Sequence, residues 1–191
     1  MEMQRGVVGD LATMPQLAEV ARDTGVIKTC AKLVAGARET AVPVVHATVS
    51  WRSDRLGTSL NTPLTSALAR NPSQILEGTE AVDLIPEFGD VSADLITHRH
   101  HGLTPFPGTN LDATLRTLGT TTVVACGVSV NVGILGLVLN AADLGYEVVV
   151  CTDSVAGVPV DYSRAVIENT FRMVATVTTT EELLDHWRSA P

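Results

Sequence analysis

The stretch from Thr120 to Val155, TTTVVACGVSVNVGILGLVLNAADLGYEVVVCTDSV, sets two short β-branched runs around one helix-length apolar segment. TTVVACGV is too short for a helix and rich in residues that suit a buried pleated surface, so it reads as a strand. Asn131 to Leu144 reads as a helix, and EVVVCT after it as a second strand. Strand, tight turn, helix and strand in direct succession form a crossover unit whose two strands run parallel. Parallel sheets are covered by helices on both faces, so this one segment commits the chain to an α/β architecture.

The flanking segments extend the pattern. Asp23 to Thr40 places Val26, Ile27, Cys30, Leu33, Val34 and Ala37 at helical spacing, and Pro43 stops that helix. PVVHATVSW (Pro43–Trp51) and ADLITHRH (Ala93–His100) read as strands, and the Ser-, Asn-, Thr-, Gly- and Pro-rich residues between them as a long loop with short helices. TNLDATLRTLG (Thr109–Gly119) predicts a helix with Thr109 as N-cap and Gly119 just past its end. Asp161 to Val174 predicts another, opened by an Asp cap after Pro159, and TVTTTEELLDHW closes the chain as a short strand and helix. The expected arrangement is a three-layer α/β/α domain with a mostly parallel sheet, one domain over residues 1–191. Such sheets carry their sites at the carboxyl ends of the strands.

Composition narrows the partners. A net charge of −8 argues against nucleic acid or an anionic membrane surface. No apolar run approaches the roughly 20 residues of a membrane span, and MEMQRGVVGD lacks the apolar region of a signal peptide. Cys30, Cys126 and Cys151 form no metal or redox spacing, and their odd number fits a reducing cytoplasm, the expected location. All three read as buried structural thiols.

The run GVSVNVGILGLVLNAADLGYEVVV closely resembles the signature of isochorismatase-like hydrolases, the cysteine hydrolase superfamily. Most members carry a catalytic cysteine at the position that is Gly133 here, in Gly127-Val128-Ser129-Val130-Asn131-Val132-Gly133. The resemblance extends to both ends. A family pattern like Ile-Asp-Met-Gln, with a catalytic Asp, meets Glu2-Met3-Gln4, which puts Glu2 at the acidic position. A pattern like Lys-x-x-x-Ser-Ala-Phe, with a catalytic Lys, meets His100-His101-Gly102-Leu103-Thr104-Pro105-Phe106. Counting back six from Phe106 places His100 at the lysine, with Arg99 as the register rival one residue away. The sequence thus departs from the family at all three catalytic identities.

The resemblance implies a cofactor-free hydrolase acting on a small metabolite. The thiol is missing, so the expected chemistry is non-covalent acid–base work on an enol ether, amide or ester. Glu2 and His100 are the expected acid–base pair, a carboxyl being able to hold a proton near neutrality when desolvated. Backbone N–H groups near Val132 and Gly133 are the expected oxyanion donors. Trp51, Arg52, Arg99, Phe106, Ser129, Asn131 and Val132 are the expected pocket residues. The alternatives are a catalytically inactive ligand-binding or interaction protein on the same fold and, more weakly, a metal-assisted amidase. His98 and His100 would share one strand face, but HATVSWRSDR lacks the Asp-x-His pair of the family's metal-binding branch, so no metal is expected.

The resemblance carries four further expectations: a non-proline cis peptide at Val128–Ser129, a structural anchoring role for Asp153, a homo-oligomer, and a missing central strand. The family's first strand immediately precedes its Asp, so with Glu2 at that position the strand looks truncated, and the expectation is a start upstream of Met1.

Overall fold

The computed structural model describes residues 1–189. Two helices, α1 (Pro15–Asp23) and α2 (Val26–Glu39), lead into β1 (Val45–Val49), and α3 (Pro63–Leu68) lies in the long connection to β2 (Leu95–Arg99). Then follow α4 (Leu111–Thr117), β3 (Thr122–Val128), α5 (Leu135–Asp143) and β4 (Glu147–Ala156). The chain ends with α6 (Val160–Val166), α7 (Arg172–Val174), β5 (Thr176–Thr178) and α8 (Thr180–Ser189). This is the α/β class that the crossover unit demands.

Every strand pair is parallel: β1 with β2, β3 with β4, and β4 with β5. The two groups of strands meet across the amino terminus. The Met1 ammonium donates to the Cys126 carbonyl at 2.7 Å. The Val128 N–H donates to the Met1 carbonyl at 3.2 Å, and the Glu2 N–H to the Ala47 carbonyl at 2.9 Å. Residues 1–2 therefore supply a two-residue rung of the central strand. Toward the starts of β1 and β3 the strands flank an apolar cavity of about 180 Å³ lined by Met1, Val45, Ala47, Phe106, Leu115 and Val123.

Gln4 locks this stretch in place. Fully buried, it donates through Nε2 to the carbonyls of Val49 (3.0 Å) and Val82 (2.8 Å) and accepts from the Val49 N–H (2.9 Å). All of its amide groups are thus used, which a buried amide requires. Gly127 lets the Met1 carbonyl approach: its φ is +106°, and a Cβ there would lie 2.1 Å from that oxygen.

Side chains alternate across the strands, so each face has its own core. Ala125, Val148 and Val150 pack with Ile134, Leu137, Val138 and Phe171 from the α5 side. Val124 and Cys126 turn the other way, beside Leu33, Cys151 and Leu184 of the α2 and α8 layer. Ile134, Val138 and Phe171 are wholly buried; burial of such a side chain is worth about 1.5–3 kcal/mol. The three-layer reading follows from these two cores.

Some boundaries shift. The helix expected over 161–174 breaks into α6, a π-helical turn at Ile167–Phe171 and α7, and Asp161 makes no side-chain cap. Asn110, not Thr109, is the N-cap of α4, although the Thr109 hydroxyl does accept the Leu111 N–H at 3.1 Å. Asp153 anchors the end of the domain, its Oδ1 accepting from both the N–H and the hydroxyl of Thr180 at 2.9 Å.

Candidate active site

The carboxyl ends of the parallel strands surround a cavity of about 430 Å³. Its floor comes from Glu2, from Arg99 at the end of β2, and from Ser129, Asn131 and Val132 in the turn between β3 and α5. Its walls are mostly apolar: Leu17, Trp51, Leu64, Leu68, Ile75 and Val158. The Val128–Ser129 peptide is cis, as the resemblance implies, and a π-helical turn over Val130–Ile134 leads into α5.

Glu2 and Arg99 meet at the bottom of this cavity. Arg99 donates from Nη2 to Glu2 Oε1, and the two side chains are 4% and 15% exposed respectively. Glu2 sits at φ +54°, a left-handed conformation costly for a non-glycine and held by its own bond to the Ala47 carbonyl and by the bond from Val128 to the preceding Met1 carbonyl. Arg99 Nε and Nη1 are buried and have no hydrogen-bond partner among the described residues. A guanidinium left in that state has donor capacity to spare, and leaving it unused is costly.

The register of β2 corrects the sequence reading here. Thr97 and Arg99 point to one side and His98 to the other, so Arg99, not His100, takes the position opposite Glu2. His100 lies outside the cavity, half exposed, with Nε2 3.5 Å from Glu77 Oε1 and its ring edge-on to His98 at 4.7 Å. His98 is held by two hydroxyls, Thr48 at Nδ1 and Ser50 at Nε2, each at 2.8 Å. Burial, then the charges of His100 and Arg99, lower the His98 pKa below the ordinary imidazole value. Among the described residues no three His, Cys, Asp or Glu side chains gather as metal ligands would.

The oxyanion reading also changes. The Val132 N–H is spent on the Ser129 carbonyl at 3.2 Å, and Ile134 donates to the same oxygen at 2.9 Å. Gly133 is buried and does not line the cavity. A Cβ on it would meet the Met1 Cε at 2.6 Å, so the Met1 thioether covers the place from which the family's thiol would project. The cation that lines the cavity is instead the Arg99 guanidinium.

Of the remaining expected pocket residues, Trp51, Ser129, Asn131 and Val132 line the cavity. Arg52 does not: it is exposed and forked onto Asp54 at 3.0 and 2.7 Å. Phe106 does not either, being packed against Tyr146 in the α5-side core. None of the three cysteines lines the cavity; its neighbour Cys126 and burial push the Cys30 thiol up, and burial pushes Cys151 up to about 12.

Sequence reasoning missed Gln74, Ile75 and the apolar wall from α1 and α3. Gln74 is buried and accepts from the Thr13 hydroxyl at 2.5 Å, while Ile75 and Glu77 pair with Trp51 at 2.9 Å in the manner of an added strand. The one local signal was Pro15, which opens α1 at a position that favours proline.

The chain resembles known sequences and solved structures. An uncharacterized isochorismatase family protein, YecD, from Escherichia coli O157:H7 is 28% identical over 169 residues, covering 84% of this chain and 82% of that protein. An isochorismatase family protein from Desulfovibrio vulgaris subsp. vulgaris str. Hildenborough superposes with a TM-score of 0.83 at 24% identity, covering 98% of this chain and 95% of that one. N-carbamoylsarcosine amidase from Thermoplasma acidophilum does so with a TM-score of 0.71 at 23% identity, covering 94% and 93%. With residues 1–182 matching the isochorismatase domain family model, the chain belongs to the isochorismatase family and has the fold of its hydrolases.

Proposed function

We propose that this protein hydrolyses an amide or ester bond of a small metabolite by direct attack of water, with no covalent enzyme intermediate. The observation that carries the reading is the buried Glu2–Arg99 pair at the floor of the cavity. Glu2 accepts a proton from a water molecule as the water oxygen bonds to the carbonyl carbon. The electron pair displaced onto the carbonyl oxygen is met by the positive charge of the Arg99 guanidinium, already held in place against Glu2 before the reaction. Collapse breaks the C–N or C–O bond, and the leaving group departs with the proton Glu2 took. An enol ether is less well served, because it needs Glu2 to give up a proton before water attacks.

A second reading, a ligand-binding protein without turnover, draws support from the covered Gly133 position. Assays of purified wild type and Glu2→Gln on amide, ester and enol-ether panels separate the two. The hydrolase reading expects turnover of an amide or ester, reduced at least a hundredfold in Glu2→Gln, within the usual range for loss of a proton-transfer group. Thermal stabilisation by panel compounds without any turnover would favour the second reading.

A further inference from the structure

We infer that the Glu2–Arg99 pair makes this cavity selective for uncharged carbonyl compounds with an apolar body, and that it excludes the corresponding carboxylates. The inference deepens the proposed function and rests on the same cavity as its site.

The argument is one of charge. Glu2 and Arg99 are the only charged side chains among the described residues lining the cavity. They are already paired one to one, both largely shielded from solvent. Arg55, which stacks on Trp51 at 4.9 Å, does not line the cavity and spends its donors on the carbonyls of Asn71, Pro72 and Gln74. A carboxylate entering here would place two anions on one guanidinium inside apolar walls, where repulsion is poorly screened. A neutral carbonyl oxygen needs no further cation.

The rest of the wall sets the ligand's other half. Leu17, Leu64, Leu68, Ile75 and Trp51 offer no charge and little polarity, which suits a branched aliphatic or aromatic group. Glu2 then has two duties: it moves the proton, and its fixed negative charge rejects an anionic ligand. A hydrolase built this way also releases its acid product readily, because the product carboxylate meets Glu2 where the neutral substrate did not.

Calorimetric titration at pH 8 with matched pairs, 4-methylpentanamide against 4-methylpentanoate and benzamide against benzoate, tests this without requiring turnover. Wild type is expected to bind at least one amide at least tenfold more tightly than its carboxylate partner. Glu2→Gln, nearly the same shape but uncharged, is expected to reverse that order, the freed Arg99 now favouring the carboxylate. Arg99→Met is expected to lose both ligands. Wild type binding a carboxylate as tightly as its amide overturns the inference without any variant being needed. So does Glu2→Gln with the preference unchanged, or the absence of binding by either amide. Selective binding with no hydrolysis of any amide or ester would leave the selectivity standing and remove only the proposed reaction.

Discussion

The Met1 thioether lies over Gly133, its Cε 2.6 Å from where a Cβ would stand and its Sδ 3.3 Å away. The neighbour is the far end of a flexible side chain, so a small residue at 133 can be accommodated if the methionine moves. Gly133→Cys is therefore expected to fold, at a cost of about 1–3 kcal/mol for overpacking. Its thiol is expected to stay beneath Met1 and off the cavity. Urea denaturation measures the cost, and an aromatic disulfide reagent measures access. A new thiol that reacts as fast as free cysteine would show that the position opens to the cavity.

Glu2 and Arg99 are expected to be strongly coupled in stability as well as in function. Removing one member of a buried ion pair leaves the other uncompensated, typically at about 3–5 kcal/mol. Glu2→Gln and Arg99→Met are each expected to lower stability at the low end of that range, because Glu2 keeps some solvent contact at 15% exposure. The double variant is expected to lose less than the two single losses combined. A double-mutant cycle from urea unfolding at pH 7 gives the coupling directly, and additive losses would mean the two groups do not act as a unit.

His100→Ala, by contrast, is expected to leave both stability and any hydrolysis nearly unchanged. Its one charged contact is to Glu77 at 3.5 Å, with both side chains about half exposed, and such surface pairs contribute about 0–1 kcal/mol. Parallel thermal melts and rates of His100→Ala and Arg99→Met make the comparison. A loss of rate for His100→Ala as large as for Arg99→Met would return the histidine to the site.

That contrast shows what the residues alone made legible. The crossover unit from Thr120 to Val155 appeared as strand, turn, helix and strand because its hydrophobic pattern changes period where the structure does. The family positions that Gly133 and Glu2 occupy are legible because each sits inside a densely patterned stretch. Arg99 and His100 are adjacent, and in a strand adjacent side chains point to opposite faces, so a one-residue uncertainty in alignment inverted the assignment. Phe106, the nearest patterned residue, is separated from β2 by a loop in which spacing constrains register weakly. The wall from α1, α3 and the Gln74–Ile75 segment was invisible for a different reason. It is assembled by tertiary packing of loops whose composition does not distinguish them from solvent-exposed connections.

Acid sensitivity is expected from a second, partly buried charged cluster, just before β2. Asp94 accepts from Arg38 Nε (3.1 Å) and Nη2 (2.5 Å) and lies 2.7 Å from His46 Nε2. Burial alone would raise the Asp94 carboxyl, but the hydrogen bonds from Arg38 and His46 outweigh it and hold the pKa below the ordinary value. For His46 burial is the largest influence, and it lowers the pKa despite the carboxylate beside it. Both groups thus have folded-state values depressed relative to the unfolded chain, which binds more protons on acidification. Their contributions are complete above the unfolded values, about 6.5 for His and about 3.9 for Asp, and are lost as pH falls through the folded ones. Stability measured by urea unfolding between pH 8 and pH 3 is expected to begin falling below about 6.5 and to fall further below about 4. Asp94→Asn is expected to be less stable by about 1.5–3 kcal/mol at pH 7, since it weakens the charge-assisted hydrogen bonds from partly exposed Arg38. It is also expected to flatten the lower part of the profile. A wild-type stability that is level from pH 8 to pH 4, or that rises over that interval, would show that this cluster does not set the acid limit.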